Sequence, residues 1–163
     1  MKYFTGLAIF LISIVLISCG SNKENTSQQK SIPSQKSLSD SELSSWEITH
    51  GIGPVKTKMT LGKIDNSLAL QGEKIFEMKC TACHKMDERY VGPPIRHITK
   101  NRTPEYIMNM ILNPDEMVKK HPEVKKLLAE YLTPMTFQNV SQEEARAILE
   151  YFRLIAQEKN QSN

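Results

Sequence analysis

Residues 80–84 read Cys-Thr-Ala-Cys-His, and few short stretches restrict a chain so strongly. Cysteines at i and i+3 project from one face of a helix, and the histidine follows directly. Four readings compete. A structural zinc site needs about four Cys, His or carboxylate ligands, and there is no second C-x-x-C here. A thioredoxin-type redox pair belongs beside a strand–helix unit, and no convincing alternating strand is found. Five residues can also arise by chance. The fourth reading is covalent haem attachment, the chemistry that C-x-x-C-H carries. Each cysteine forms a thioether with one vinyl of the same porphyrin, and the adjacent histidine reaches the iron. The residues favour this fourth reading.

The rest of the cysteine count agrees with an exported chain. There are three cysteines, an odd number. Lys2 precedes an apolar run from Tyr3 to Ile17 that ends in Leu16-Ile17-Ser18-Cys19. The run is short for a helix crossing ~30 Å of hydrocarbon and suits the core of a signal peptide. The Leu-Ile-Ser-Cys end resembles the bacterial lipoprotein box, which implies cleavage before Cys19 and acylation of its thiol and new amine. Several acyl chains hold a protein at a membrane where one is marginal. With Cys19 lipidated, Cys80 and Cys83 remain as a pair.

The chain divides by composition. Residues 1–18 read as the signal, 19–45 as a lipidated linker, 46–158 as the folded domain and 159–163 as a tail. Gly20 to Ser45 is rich in Ser, Gln, Asn and Lys; such a segment buries too little to order itself and reads as a tether. Trp46 to Lys63 mixes Gly51, Gly53 and Pro54 with scattered apolar residues and reads as an irregular, packed extension, His50 within it as a surface or core histidine. Helix signals follow. Asp65 is an N-cap before a face of Leu68, Gly72, Ile75, Phe76 and Lys79. Thr103-Pro104 opens a helix over Glu105–Leu112 that Asn113-Pro114 stops. His121-Pro122 opens another, with Val124, Leu127, Leu128 and Tyr131 on one face. Ser141 to Glu144 is a capping box before Ala145, Ile148, Leu149, Phe152 and Ile155. The expectation is an all-α domain of four or five short helices. So small a core is marginal, and a covalent macrocycle supplies the missing apolar centre. From Ser67 to Glu158 the chain holds 13 Lys/Arg and 13 Asp/Glu. The net +3 is too weak a signal for nucleic acid.

From Leu68 to Phe152 the chain resembles a bacterial monohaem class I cytochrome c; the matching core runs over about 67–156. Cys80 and Cys83 match the thioether positions and His84 the proximal iron ligand. Val91-Gly92-Pro93-Pro94-Ile95 matches the family's Gly-Pro turn, which implies that the Pro93 carbonyl accepts the other N–H of His84 and orients the ring. Gly72 and Phe76 match the family's glycine–aromatic pair, and Ile148 and Tyr151 its partners on the last helix. Pro134-Met135 matches the Pro-Met that presents a distal sulfur. Of the other methionines, Met86 lies too near His84, Met108 and Met110 fall on a helix, Met117 precedes a lysine run and Met59 lies outside the match. His97 and His121 are the rival ligands; bis-histidine ligation implies a lower potential than a soft thioether gives. Arg96, Arg102 and the Trp46 indole are candidate partners for the haem propionates. Two stretches depart from the pattern: the long charged approach Asp115–Thr133, and the extension Trp46–Ile64.

Haem iron with two strong axial ligands has no open position and moves single electrons. The resemblance therefore implies an electron-transfer protein, not an enzyme, exported and tethered by Cys19 to the periplasmic face of the inner or the outer membrane. It would pass electrons to a periplasmic reductase or terminal oxidase. HGIGPV, the haem segment and YLTPMTFQNVS are similar to small cytochromes of nitrous oxide reduction systems. That likeness implies nitrous oxide reductase as one acceptor; a terminal oxidase as acceptor and a quinol-oxidising complex as donor fit as well. Lys85, Arg89, Arg96, Lys100 and Arg102 outnumber Asp87 and Glu88, suggesting a positive rim that steers acidic partners. Two alternatives remain: a haem sensor or peroxidatic protein with a labile sixth ligand, or a fixed subunit of a membrane oxidoreductase complex.

Overall fold

The computed structural model describes residues 43–158. The signal segment, Cys19 and nearly all of the tether lie outside them, as does the 159–163 tail. The described residues contain no strand and form seven helices: α1 (Ser45–His50), α2 (Asn66–Lys79), α3 (Ile98–Asn101), α4 (Pro104–Leu112), α5 (Pro114–Lys120), α6 (Pro122–Tyr131) and α7 (Gln142–Glu158).

The caps explain most of these boundaries. The Asp65 side chain accepts from the Leu68 N–H at 3.0 Å, and Thr103 accepts from the Tyr106 N–H at 3.2 Å. Ser141 and Glu144 exchange the two bonds of a capping box, at 2.8 and 3.1 Å. Three helices, α1, α3 and α5, go beyond the four placed from the sequence. Asn113-Pro114 ends α4 at Leu112 as expected, and the same dipeptide starts a further helix. Asn113 caps the C-terminus of α4 and also begins α5, with Pro114 in its first turn; proline needs no N–H donor there. The helix α3 is a single turn. The extension opens with α1 instead of irregular chain, under a Ser44–Glu47 capping box.

The frame is the crossing of α2 with α7. A Cβ at Gly72 would lie 2.0 Å from the Ala147 carbonyl oxygen and 2.8 Å from the Ile148 nitrogen, so only glycine lets the backbones approach this closely. Phe76 then packs edge-on against Phe152 at 5.5 Å and near Tyr151 at 5.8 Å between ring centroids. Glu150 of α7 is fully buried. It accepts from the Asp65 N–H at 2.9 Å and from Arg153 at 2.8 Å, and it pairs with Arg146. Arg153 in turn donates to the Gly62 carbonyl at 2.7 Å. A buried charge is tolerated only when partnered in this way.

Polar side chains of α4 and α5 hold the extension. Asn109 is completely buried. Its amide donates to the carbonyls of His50 and Val55, each at 2.9 Å, and its oxygen accepts from the Val55 N–H at 2.9 Å. Glu105, also buried, accepts from the Met59 N–H and lies 3.0 Å from His50 Nδ1. Asn113 donates to the Ile52 carbonyl at 3.1 Å. The Met117 sulfur sits 3.1 Å from the Ile52 nitrogen. Gly51, at φ +78°, lets the chain leave α1 in a direction that a side chain would resist.

Candidate functional site

The C-terminus of α2 delivers the motif. Lys79 is its last residue, and Cys80 follows as the cap, its N–H bonded to the Phe76 carbonyl at 2.8 Å. A turn continues the chain: the N–H groups of Cys83 and His84 both bond to the Cys80 carbonyl, at 3.0 and 2.9 Å. No disulfide joins Cys80 and Cys83. Burial pushes the Cys80 thiol up to about 11.

The following loop fixes the imidazole. His84 Nδ1 lies 3.0 Å from the Pro93 carbonyl oxygen, so Nδ1–H donates and Nε2 keeps its lone pair. The Gly92 N–H bonds to the Cys83 carbonyl at 2.8 Å, folding the loop back. A Cβ on Gly92 would come within 2.6 Å of His84 Cε1. The backbone of Gly92 thus forms one wall against the ring.

Cys80, Cys83 and His84 open into one cavity, with Met135 among its lining residues. Its walls are apolar: Phe76 from α2, Ile107 and Ile111 from α4, Leu127 and Leu128 from α6, Ile148 and Phe152 from α7. Arg102 and Tyr106 are among its polar groups. The Tyr106 hydroxyl is buried and finds no acceptor among the described residues, and burial raises its pKa above the ordinary 10. It stays a donor. Arg102 lies over the Tyr106 ring, 5.1 Å from its centroid. A flat apolar macrocycle with carboxylates at one edge suits this lining: greasy walls, two thiols and an imidazole at one place, and an unsatisfied hydroxyl beside a guanidinium at another. No cluster of three or more His, Cys, Asp or Glu side chains gathers as metal ligands among the described residues, which leaves the zinc reading without a ligand set.

The remaining sequence candidates sit elsewhere. His97 is exposed at the start of α3. His121 is fully buried, but its Nε2 faces the Ile48 carbonyl at 3.1 Å. Neither lines the cavity. Arg96 is clasped by Asp87 at 2.7 and 2.9 Å and lies near Glu158. Trp46 stacks on His50 at 3.8 Å. Neither Arg96 nor Trp46 lines the cavity, whereas Arg102 does. Two further lining residues, Tyr106 and Met110, were not singled out for the site from sequence. A tyrosine two residues inside a helix start carries no signal of its own, and only the fold shows its hydroxyl stranded. The positive rim is largely neutralised. Arg89 pairs with Glu130, Arg96 with Asp87 and Arg102 with Glu123, while Lys85 lies over the Tyr90 ring.

A strandless helical domain with C-x-x-C-H at the mouth of an apolar cavity defines a carrier of covalently bound, c-type haem. The Cytochrome c family model matches residues 69–155, and the chain belongs to that family. Among solved structures it is similar to a cytochrome c from Rhodothermus marinus, at 51% identity over 69% of this chain and 97% of that one, with a TM-score of 0.66. An engineered form of the same cytochrome matches at 51% identity over 68% of this chain and 96% of that one, TM-score 0.64. A further structure of that engineered form, described as bound to a carbene intermediate, matches at 50% identity over the same shares, TM-score 0.62. No curated protein matches. The family makes this an exported, haem-based electron carrier. No helix of the described residues is long and apolar enough to cross a membrane.

Proposed function

We propose that the protein is a membrane-tethered one-electron carrier whose haem iron is held between His84 and Met135. The observation that carries this reading is the shared cavity. His84, with Nδ1 committed to Pro93, presents Nε2 to the space that Met135 also lines. The haem supplies a one-electron couple at its iron. The chain's own residues do the rest. Cys80 and Cys83 hold the macrocycle, Pro93 and Gly92 orient the imidazole, and Arg102 with the Tyr106 hydroxyl meets a propionate edge. Met110 also lines the cavity, but it is fixed mid-helix on α4. Met135 lies in the loop between α6 and α7, where backbone can bring a sulfur inward. A neutral thioether favours the reduced iron and raises the potential.

The lipoprotein-like Leu16-Ile17-Ser18-Cys19 end supports the tether. A lipid on Cys19 would keep the domain near its membrane, at raised local concentration for partners there. A quinol-oxidising complex as donor, and nitrous oxide reductase or a terminal oxidase as acceptor, suit such a carrier. Because its cations are mostly paired, docking should rest on small apolar contact, weak and brief as electron-transfer encounters are.

The test is optical. The oxidised protein should show the sulfur-to-iron charge-transfer band in the far red. Met135→Ala should abolish it, and Met110→Ala should leave it. A wild type that lacks the band and binds carbon monoxide readily when reduced would instead favour a sensor or enzyme.

A further inference from the structure

The loop carrying Met135 joins the end of α6 to the start of α7. It is bracketed by two residues in left-handed backbone that are not glycine: Leu132 at φ 56° and Asn139 at φ 51°. Leucine resists this conformation and asparagine tolerates it; a cation reaches the chain beside each of them. At the first end, Arg89 donates to the Glu130 carbonyl at 2.7 Å and to the Glu130 carboxylate at 2.8 Å. Its guanidinium also lies 4.1 Å from the centroid of the Tyr131 ring. At the other end, Lys79 donates to the Asn139 carbonyl at 2.8 Å, and its ammonium lies 3.4 Å from Glu144. The side-chain bonds of Gln138 go to Thr136, inside the loop itself.

Both cations come from the segment that attaches the haem. Lys79 immediately precedes Cys80, and Arg89 lies five residues after His84. We infer that Lys79 and Arg89 are positioning residues that brace the two ends of the Met135 loop against the haem-attachment segment and so set how readily Met135 leaves the iron. This rests on the reading of Met135 as the distal ligand. Each brace joins a cation to a backbone carbonyl, and charge-assisted bonds of this kind exceed neutral ones. Neither is deeply buried: Lys79 and Glu144 are 27% and 34% exposed, Arg89 and Glu130 55% and 53%. Solvent therefore tempers both. Ligand release requires the loop to swing away, and the swing must break one brace or the other. Weakening a brace raises the open population without touching iron, sulfur or imidazole.

The experiment is a titration of the oxidised holoprotein with imidazole, followed by loss of the far-red band. Imidazole binds only when the sulfur has left, so its apparent affinity reports the open population. Lys79→Ala and Arg89→Ala should each raise that affinity roughly two- to tenfold, the range of one partly exposed charge-assisted bond. Arg89→Lys keeps the charge but loses the two-pronged fork, and should fall between wild type and Arg89→Ala. Lys85→Ala removes a nearby cation that does not touch the loop and should titrate as wild type. If Lys79→Ala and Arg89→Ala titrate like Lys85→Ala while the band is present, the braces are refuted and the ligand reading stands. If the wild type has no band, the ligand reading fails and takes the braces with it. A rise of equal size in all three alanine variants would point to net charge and also overturn the inference.

Discussion

Replacing Asn109 with alanine should detach the extension from the domain that it covers. The amide serves three backbone groups at 2.9 Å each: the carbonyls of His50 and Val55 and the N–H of Val55. Each bond contributes about 1 kcal/mol net, and a group left dry and unpaired costs about 1–3 kcal/mol. Some water will enter the vacated space, so the sum is about 3–4 kcal/mol. With a guanidinium slope of about 3–4 kcal/mol per molar, the midpoint should fall by about 1 M. The chain offers a direct assay, because its one tryptophan, Trp46, lies in α1. Haem quenches its emission when the extension is docked, while the haem bands follow the core. In the wild type the two transitions should coincide. In Asn109→Ala the Trp46 transition should move to lower denaturant and precede the haem transition. Coincident transitions shifted by less than about 0.3 M would show that apolar packing, not the amide, secures the extension.

Three other perturbations probe separate parts of the structure. Gly92→Ala places a methyl 2.6 Å from His84 Cε1 while the Pro93 carbonyl holds Nδ1 in place; overpacking of this kind costs about 1–3 kcal/mol, and chemical denaturation of the holoprotein should show it. Glu150 offers a pH test. Burial opposes its ionisation, but the Asp65 N–H and the two arginines outweigh that and hold its pKa below the ordinary 4.5. A depressed carboxylate contributes stability above its unfolded value, and that stability is lost as pH falls through the folded one. Acid unfolding below about pH 4.5 should therefore flatten in Glu150→Gln, which should already be the less stable protein at pH 7; equal acid slopes would remove Glu150 from the account. Leu132 is 82% exposed and left-handed. Leu132→Gly gives up little packing and removes about 1–2 kcal/mol of backbone strain, against about 0.5–1 kcal/mol of added chain entropy. Its melting temperature should hold or rise by a few degrees; a clear fall would mean that the side chain packs after all.

What could be read in advance divides along physical lines. Caps are local, and Asp65, Thr103 and Ser141 mark helix starts because the bonded partner lies two or three residues away. The C-x-x-C-H spacing is local too, as is the Gly-Pro turn. The glycine at 72 was readable through its resemblance, and the 2.0 Å approach to Ala147 supplies the reason for it. The extension was opaque. Its partners, Glu105, Asn109, Asn113 and Met117, lie 46 to 65 residues away, and buried Glu and Asn look like surface residues in a hydropathy pattern. Asn113-Pro114 misled for a different reason: the same dipeptide that stops one helix also starts the next. Charges fared worst. A count of lysines and arginines gives a positive rim, but pairing decides the field, and Arg89 and Arg96 reach carboxylates 41 and 9 residues away.

The docking of 44–64 onto α4 has a consequence in time. An exported chain emerges N-terminus first, so the extension leaves the membrane well before the residues that receive it. The Val55 backbone must wait for Asn109, 54 residues on, and Asp65 must wait for Glu150, 85 residues on. Contacts so distant form late, after local helices. Cys80 and Cys83 emerge in that interval, when nothing yet closes over them, and the enzyme that joins them to their porphyrin meets an open segment. The partners of α1 and its loop emerge before Glu150, so chain position alone puts the bond of Asp65 to α7 last.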